Sequence, residues 1–474
     1  MVSGAWCVVS EKRYQYYLPQ PPQLPQPPQL SYPYSLENVS AMLNSRLKQT
    51  PQVSNSEVKT FSQPPRSPNG SAVGKQRRSQ PWNNFSFRTK LTLLLMLSAA
   101  LPIVVVTQKN AAVTRQREIQ NAQTFLQKAQ ASFLSNYATW VVTESATEAN
   151  TVAEVVQAMK IDLRDRQQVA AQRQFLNTFL GKFSVTDGSG SVEKNLRVIV
   201  GADGKTIAQS IRTLSEEYLN LPVDKVELNP PYRQVSLPTG INLGDVPIVQ
   251  HALQTGKVLS GLELINSSVL KRLGQDKQAN IGIRSQPTAG LPPSKQPSPN
   301  GTYNVDAGKI GLVGMTVQPI LAGKKVVGAV IVGSVINQAP GQVDSFKDFE
   351  KVSLSTIFAQ DWRVTTTVPY TDGKSRAIGT RAAREVAQQV LDRGQEFNGQ
   401  TNILGQTYLT AYSPLYDHEK ILNPDKAKPV GMAFVGTPLD EIEAHIREQQ
   451  LFAYGVSGGM LLLIGLVEIG RAHV

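Results

Sequence analysis

The chain has 474 residues, is 41% hydrophobic and carries a formal charge of +12, which is enough length and apolar content for two or three domains with real cores. Eleven Lys and Arg against three Glu fall in the first ninety residues, so most of the positive charge belongs to one terminal segment; with no zinc spacing, helix-turn-helix pattern or basic and aromatic interleaving, the sequence argues against a nucleic-acid partner. The single cysteine, Cys7, excludes an internal disulfide framework and a cysteine metal cluster.

Residues 1–87 read as a disordered Pro/Gln-rich cytoplasmic tail. Its repeat LPQPPQLPQPPQL (Leu18 to Leu30) favours polyproline II and gives nothing with which to build a core. The next segment, 88–108, holds an uncharged run from Leu91 to Thr107. At about 1.5 Å per helical residue, such a run approaches the roughly 30 Å of a bilayer interior. Lys75, Arg77, Arg78, Arg88 and Lys90 precede it, while Lys109, Arg115 and Arg117 are mixed with Glu118 after it. This asymmetry keeps the N-terminus in the cytoplasm, and Pro102 is tolerable within a membrane helix.

Beyond the run, Ile119, Ala122, Leu126, Ala129, Phe133, Asn136 and Trp140 recur every three or four residues, the seam of a long amphipathic helix able to pack on its own domain or on a second copy. A second helical stretch, Val152 to Phe179, ends near VTDGSGS, where glycines break it. Together these make 109–195 a helical region.

From Leu196 to Thr437 the chain reads as strands with short helices, and its two halves repeat each other. LRVIVGADGKTIAQS is matched by WRVTTTVPYTDGKSRAIG, each with an Asp-Gly turn (Asp203-Gly204 and Asp372-Gly373) of the kind that closes a hairpin. QHALQTGKVLSG (Gln250 to Gly261) is matched by QQVLDRGQEFNG (Gln388 to Gly399), each a helix stopped by glycine. QPILAGKKVVGAVIVG is matched by SPLYDHEKILNPDKAKPVGMAFVG, the second with the longer hairpin. Two α/β modules follow, 196–338 and 339–438, the first with a polar insertion, 266–307, expected as a mobile surface loop. Their glycines lie inside apolar strands, so they are no phosphate loop.

A return helix, 439–450 (LDEIEAHIREQQ), leads into a second apolar run, 451–467, LFAYGVSGGMLLLIGLV, whose small residues suit helix packing in a membrane. The closing residues 468–474, EIGRAHV, are what a common short-read sequencing adapter encodes, and the natural chain is expected to run on past Val467.

The order of these elements resembles a double Cache sensor. ADGKTIAQS, GDVPIVQHALQTGKVLSG and VVGAVIVG resemble the membrane-distal module; TDGKSRAIGTR, YLTAYSPLYD and VGMAFVGTP resemble the proximal one; SFRTKLTLLLMLSAALPIVVVTQ resembles the first membrane segment of methyl-accepting chemotaxis proteins. The resemblance covers about 109–450. It implies an α+β fold: a long membrane-proximal α-helix plus two tandem PAS-like modules with antiparallel sheets, flanked by two transmembrane helices. It also implies a sensor domain outside the plasma (inner) membrane that works as a homodimer, binds a small molecule and acts on cytoplasmic signalling proteins. Sensor histidine kinases and nucleotide cyclases use similar inputs.

His251, His418, His445 and His473 show no metal spacing, no G-x-S-x-G or Walker pattern appears, and neither a cofactor nor an enzyme active site is expected. PAS-like sheets leave a concavity where a few polar groups orient a ligand. The ligand-binding candidates are Arg197, Tyr232, Arg233 and Asp245 in the distal module. Tyr and Arg would clasp a carboxylate and Asp an amine; alternatively, Arg197 faces solvent and Asp245 caps a helix.

Overall fold

A computed structural model describes residues 87–183, 193–284 and 303–471. The Pro/Gln-rich tail, the glycines of VTDGSGS, the proline-rich centre of the insertion and the last three residues lie outside the described residues. Helix α1 (Phe87–Ala138) buries Leu126, Ala129, Phe133 and Tyr137, the apolar seam read from the sequence, with one correction. Tyr137 takes the place assigned to Asn136, which is exposed. Steps of three and four are both helical, and ring packing chose between them: Tyr137 sits edge-on to Phe133 and to Trp140, at centroid distances of 6.3 and 5.1 Å. A π turn, Thr139–Glu144, follows, burying Trp140 and Val141 together.

The second helical stretch is two helices, α2 (Ser145–Ala158) and α3 (Arg166–Gly181). Lys160 takes a left-handed conformation, φ 54°, and Asp165 caps α3 by accepting from the amides of Gln167 and Gln168 at 2.8 and 3.3 Å. Both helices pack on one face of the distal sheet.

The distal module contains β1 (Leu196–Gly201), β2 (Thr206–Leu214), β3 (Tyr232–Val235), α4 (Pro247–Thr255), β4 (Leu259–Ile265), α5 (Ser267–Arg272), α6 (Asp276–Ala279), β5 (Gly311–Ala322) and β6 (Lys325–Val335). Its antiparallel sheet has the order β3-β2-β1-β6-β5-β4. The insertion begins as folded chain, not as a loop: Asn266 caps α5 through Val269 N at 3.0 Å, and Leu270, Leu273, Ala279 and Ile281 are buried. Apolar side chains every three to four residues anchor that part to the core.

The proximal module contains α7 (Pro340–Glu350), β7 (Leu354–Ala359), β8 (Trp362–Thr366), α8 (Arg384–Ala387) with a π turn (Gln388–Asp392), β9 (Phe397–Ile403), β10 (Gln406–Tyr416), α9 (Glu419–Leu422) and β11 (Pro429–Pro438). Its sheet order is β8-β7-β11-β10-β9. From β11 the chain enters α10 (Leu439–Arg471). Many side chains of Arg88–Ala111 and of the segment from Leu461 onward lie outside the described set; among the described residues no helix is long and apolar enough to cross a membrane.

The duplication is real but shifted by one strand. The β5–β6 and β10–β11 hairpins match as read, as do the helix–glycine–strand units leading into β4 and β9. LRVIV, however, forms β1, whose counterpart in the second sheet is β7, not the WRVTT of β8. The β7–β8 hairpin turns at Gln360 and Asp361, and Asp372-Gly373 closes a separate turn after β8. Strand–turn–strand grammar is local and does not say which strand pairs with which. The V-G-x-x-x-V-G glycines give the true register. Gly333 and Gly328 of β6 face the first and last residues of β1, and Gly436 and Gly431 of β11 face those of β7. Side chains at Gly328 and Gly431 would overlap neighbouring carbonyls, so both sheets need bare backbone at the same place.

Candidate functional site

Among the described residues, Arg197, Arg363 and Arg376 are buried and the Arg381 side chain is nearly so, and their partners separate them. Arg197, on β1, meets Glu148 of α2 at 2.5 Å and Glu193 at 3.2 Å, and donates to the carbonyls of Lys194 and Phe183. Arg376 grips Asp344 of α7 with two bonds of 2.8 Å. Arg381 holds Asp361 at 2.6 and 2.9 Å. Arg363, on β8 and 1% exposed, pairs with no carboxylate among the described residues; the ionisable groups acting on it are Tyr412 and Tyr408.

Local structure explains why Arg363 is there. β8 pairs with β7 on one side, placing Phe358 opposite Arg363 across a bulge. On its other side, Arg363 N donates to Thr380 O at 2.9 Å and its carbonyl accepts from Gly379 N at 3.0 Å. Gly379, φ +77°, lies against the Ile281 and Gly282 carbonyls, where a Cβ would collide, so the covering segment closes tightly over the strand. The guanidinium Nη1 donates to Thr380 Oγ1 at 2.9 Å and to Arg381 O at 2.8 Å. Its plane lies over the Phe358 ring at 5.0 Å, and Nε has no partner.

The neighbourhood is aromatic: Tyr412 lies 4.8 Å from Phe434 and 6.0 Å from both Phe358 and Phe397, between ring centroids. Burial drives the Arg363 pKa below the usual arginine value, the two tyrosines partly opposing this; burial also raises the hydroxyls of Tyr412 and Tyr408. A buried cation without an anion carries a desolvation penalty of several kcal/mol. An anion admitted beneath the segment that covers β8 would relieve it through charge-assisted bonds.

The distal concavity is different. A cavity of about 10 Å³ lies beneath α4 and α5, lined by apolar side chains such as Leu196, Val246, Val269, Val313, Met315 and Ile331. That is room for about one water and offers no polar anchor.

The four distal candidates do not converge there. Arg197 is taken by glutamates instead of facing solvent. Tyr232 and Arg233 lie on the edge strand β3, and Arg233 pairs with Glu216 at 2.7 Å on the surface. Arg233 does line an open polar cleft of about 270 Å³ with Glu216, Asp276 and Lys277. Asp245 bonds Arg272 at 2.7 Å; it is not the helix cap, because Val246 occupies that position with no side-chain bond. Arg363 stands in the stretch WRVTTT, where nothing local distinguishes an arginine that will meet a carboxylate from one that will not.

Residues 334–449 match the family model of single Cache domain 3. No curated protein sequence matches the chain. Among solved structures, the chain is similar to the periplasmic domain of Vibrio cholerae LuxQ, with 11% identity over 67% of this chain and 99% of that one, TM-score 0.31. It is also similar to the ligand-binding domain of Campylobacter jejuni chemoreceptor Tlp3 in complex with L-valine, 9% identical over 70% and 97%, TM-score 0.36. A third is the ligand-binding domain of the Pseudomonas aeruginosa PAO1 amino acid chemoreceptor PctB in complex with L-Arg, 11% identical over 69% and 92%, TM-score 0.33. The residues that match this family model, 334–449, include Arg363.

Proposed function

We propose that the chain carries the sensing region of a transmembrane chemoreceptor whose extracytoplasmic double Cache region binds a small anionic molecule, with Arg363 as the anchor. The observation that carries the reading is that the residues matching the Cache model bury Arg363, which among the described residues has no carboxylate partner. On this reading the folded region between the two apolar runs is a binding module. Two membrane spans, Leu91 to Thr107 and Leu451 to Val467, place the N-terminus in the cytoplasm by the charge asymmetry around the first.

The route for a signal is continuous covalent structure. β11 runs directly into α10. Near the membrane, α10 is tied to α1 by Arg115 and Glu443 at 2.6 Å. Higher up, α1 is tied to the proximal sheet: Gln123 donates to Thr410 O at 3.1 Å and Gln130 to Ala433 O at 3.0 Å. A ligand that favours one arrangement of this sheet would bias the α1–α10 pair by its differential affinity for the two. In a homodimer, that bias would pass to cytoplasmic signalling proteins.

The test is thermal unfolding of the full chain in detergent with a panel of small carboxylates and phosphate. At least one anion should raise the Tm, R363Q should abolish the rise, and R233A should keep it. A chain that no anion stabilises, or an R363Q protein that responds as the parent does, would remove the assignment. The alternative output is a histidine kinase or nucleotide cyclase. Genomic sequence downstream of codon 467 separates them: an adaptor segment with a long heptad hairpin means chemoreceptor, a catalytic domain means the alternative.

A further inference from the structure

The longer hairpin of the second repeat, between β10 and β11, reaches back to the distal module. Gly261 of β4 permits it: a Cβ there would overlap the His418 amide and the Asp417 carbonyl carbon, and would sit 2.9 Å from Glu263 Oε1. Two histidines 167 residues apart in the chain are thereby brought face to face, His251 Nδ1 lying 2.8 Å from His418 Nε2. Glu419 Oε1 approaches both nitrogens, at 3.4 Å from His251 and 3.7 Å from His418.

On its other side His418 is fixed. Its Nδ1 lies 2.9 Å from Glu263 Oε1, which also accepts the His418 amide at 3.0 Å. With Nδ1 donating to that carboxylate, Nε2 presents its lone pair toward His251 and Glu419. A carboxylate behind a histidine that offers its other nitrogen is the arrangement that orients metal-ligating imidazoles. His418 and Glu263 are buried, whereas His251 and Glu419 are each about one-third exposed, so the three converging donors can be reached from solvent.

We propose that His251, His418 and Glu419 bind one divalent transition-metal ion at the junction of the two modules, with Glu263 as the positioning carboxylate behind His418. Two imidazoles and one carboxylate suit zinc, a borderline-soft ion bound tetrahedrally, and suit hard Mg²⁺ or Ca²⁺ poorly. Tetrahedral ligands at about 2.0–2.1 Å from zinc stand about 3.3 Å apart; the separations of 2.8, 3.4 and 3.7 Å straddle that spacing, and water would complete the shell. The ion would tie α4 of the distal module to the hairpin of the proximal one. Sequence spacing gave no hint of it, since the ligands come from different repeats.

The experiment is a titration of the chelator-stripped full chain in detergent with Zn²⁺ against a chromophoric competitor, repeated with Mg²⁺ and followed by Co²⁺ absorption. One zinc per chain should bind and Mg²⁺ should not compete, while Co²⁺ should give the intense visible bands of a tetrahedral site. H251A and E419Q, both at solvent-accessible positions, should each weaken zinc at least about 10-fold while leaving the circular dichroism unchanged, and E263Q about 10- to 100-fold. Absence of zinc binding, or zinc held equally tightly by H251A and E419Q, would overturn the site and leave a hydrogen-bonded histidine pair. Neither result bears on anion binding at Arg363.

Discussion

Arg197 and Arg363 each stand second in a strand, after Leu196 and Trp362, and both are buried. What distinguishes them lies elsewhere in the chain: Glu148 and Glu193 reach Arg197, and among the described residues no carboxylate reaches Arg363. A desolvated charge is judged by its surroundings, and a buried pair broken on one side is strongly destabilising. Gly261 makes the same point through volume. Its side-chain position is filled by the backbone of Asp417 and His418, so G261A must push the hairpin off β4. Overpacking of this kind costs about 1–3 kcal/mol. A lowered denaturation midpoint for G261A is expected, and a midpoint equal to the parent's would mean that the hairpin does not rest on β4.

At the level of elements, the periodicity that predicted α1 is local and strong, and the structure keeps its buried face from Leu126 to Trp140. That face packs on both modules: the same cluster contains Leu312 from the distal sheet and Ile357, Ala411 and Val435 from the proximal one. Leu126→Ala is expected to cost about 2–5 kcal/mol by leaving a cavity at this junction. Gln127→Ala, one position round on the exposed side, should stay within about 0.5 kcal/mol of the parent. Comparable unfolding midpoints for the two variants would show that α1 does not dock as described. Helix boundaries were less legible: the break at Lys160 depends on a left-handed residue and on the Asp165 cap, and the stretch Val152 to Phe179 contains neither proline nor glycine to announce it. The strand assignments erred for a related reason, since Asp-Gly turns mark hairpins without saying which hairpin of the module they close.

For the whole molecule, the membrane reading makes one demand. If Leu91 to Thr107 and Leu451 to Val467 both span, protease added to intact spheroplasts should cleave within 109–450 and spare epitopes placed in the tail. Protection of the middle region until lysis would defeat the receptor reading altogether. The α+β class, the long helix, the two modules and the stops at Gly256 and Gly394 could be read from residues alone, because hydrophobic period and turn chemistry act over a few neighbours. Which arginine lacks a counter-ion, and that His251 meets His418, were decided only by tertiary structure. Those facts depend on side chains dozens to more than a hundred residues apart, joined by packing of the two repeats that no local pattern encodes.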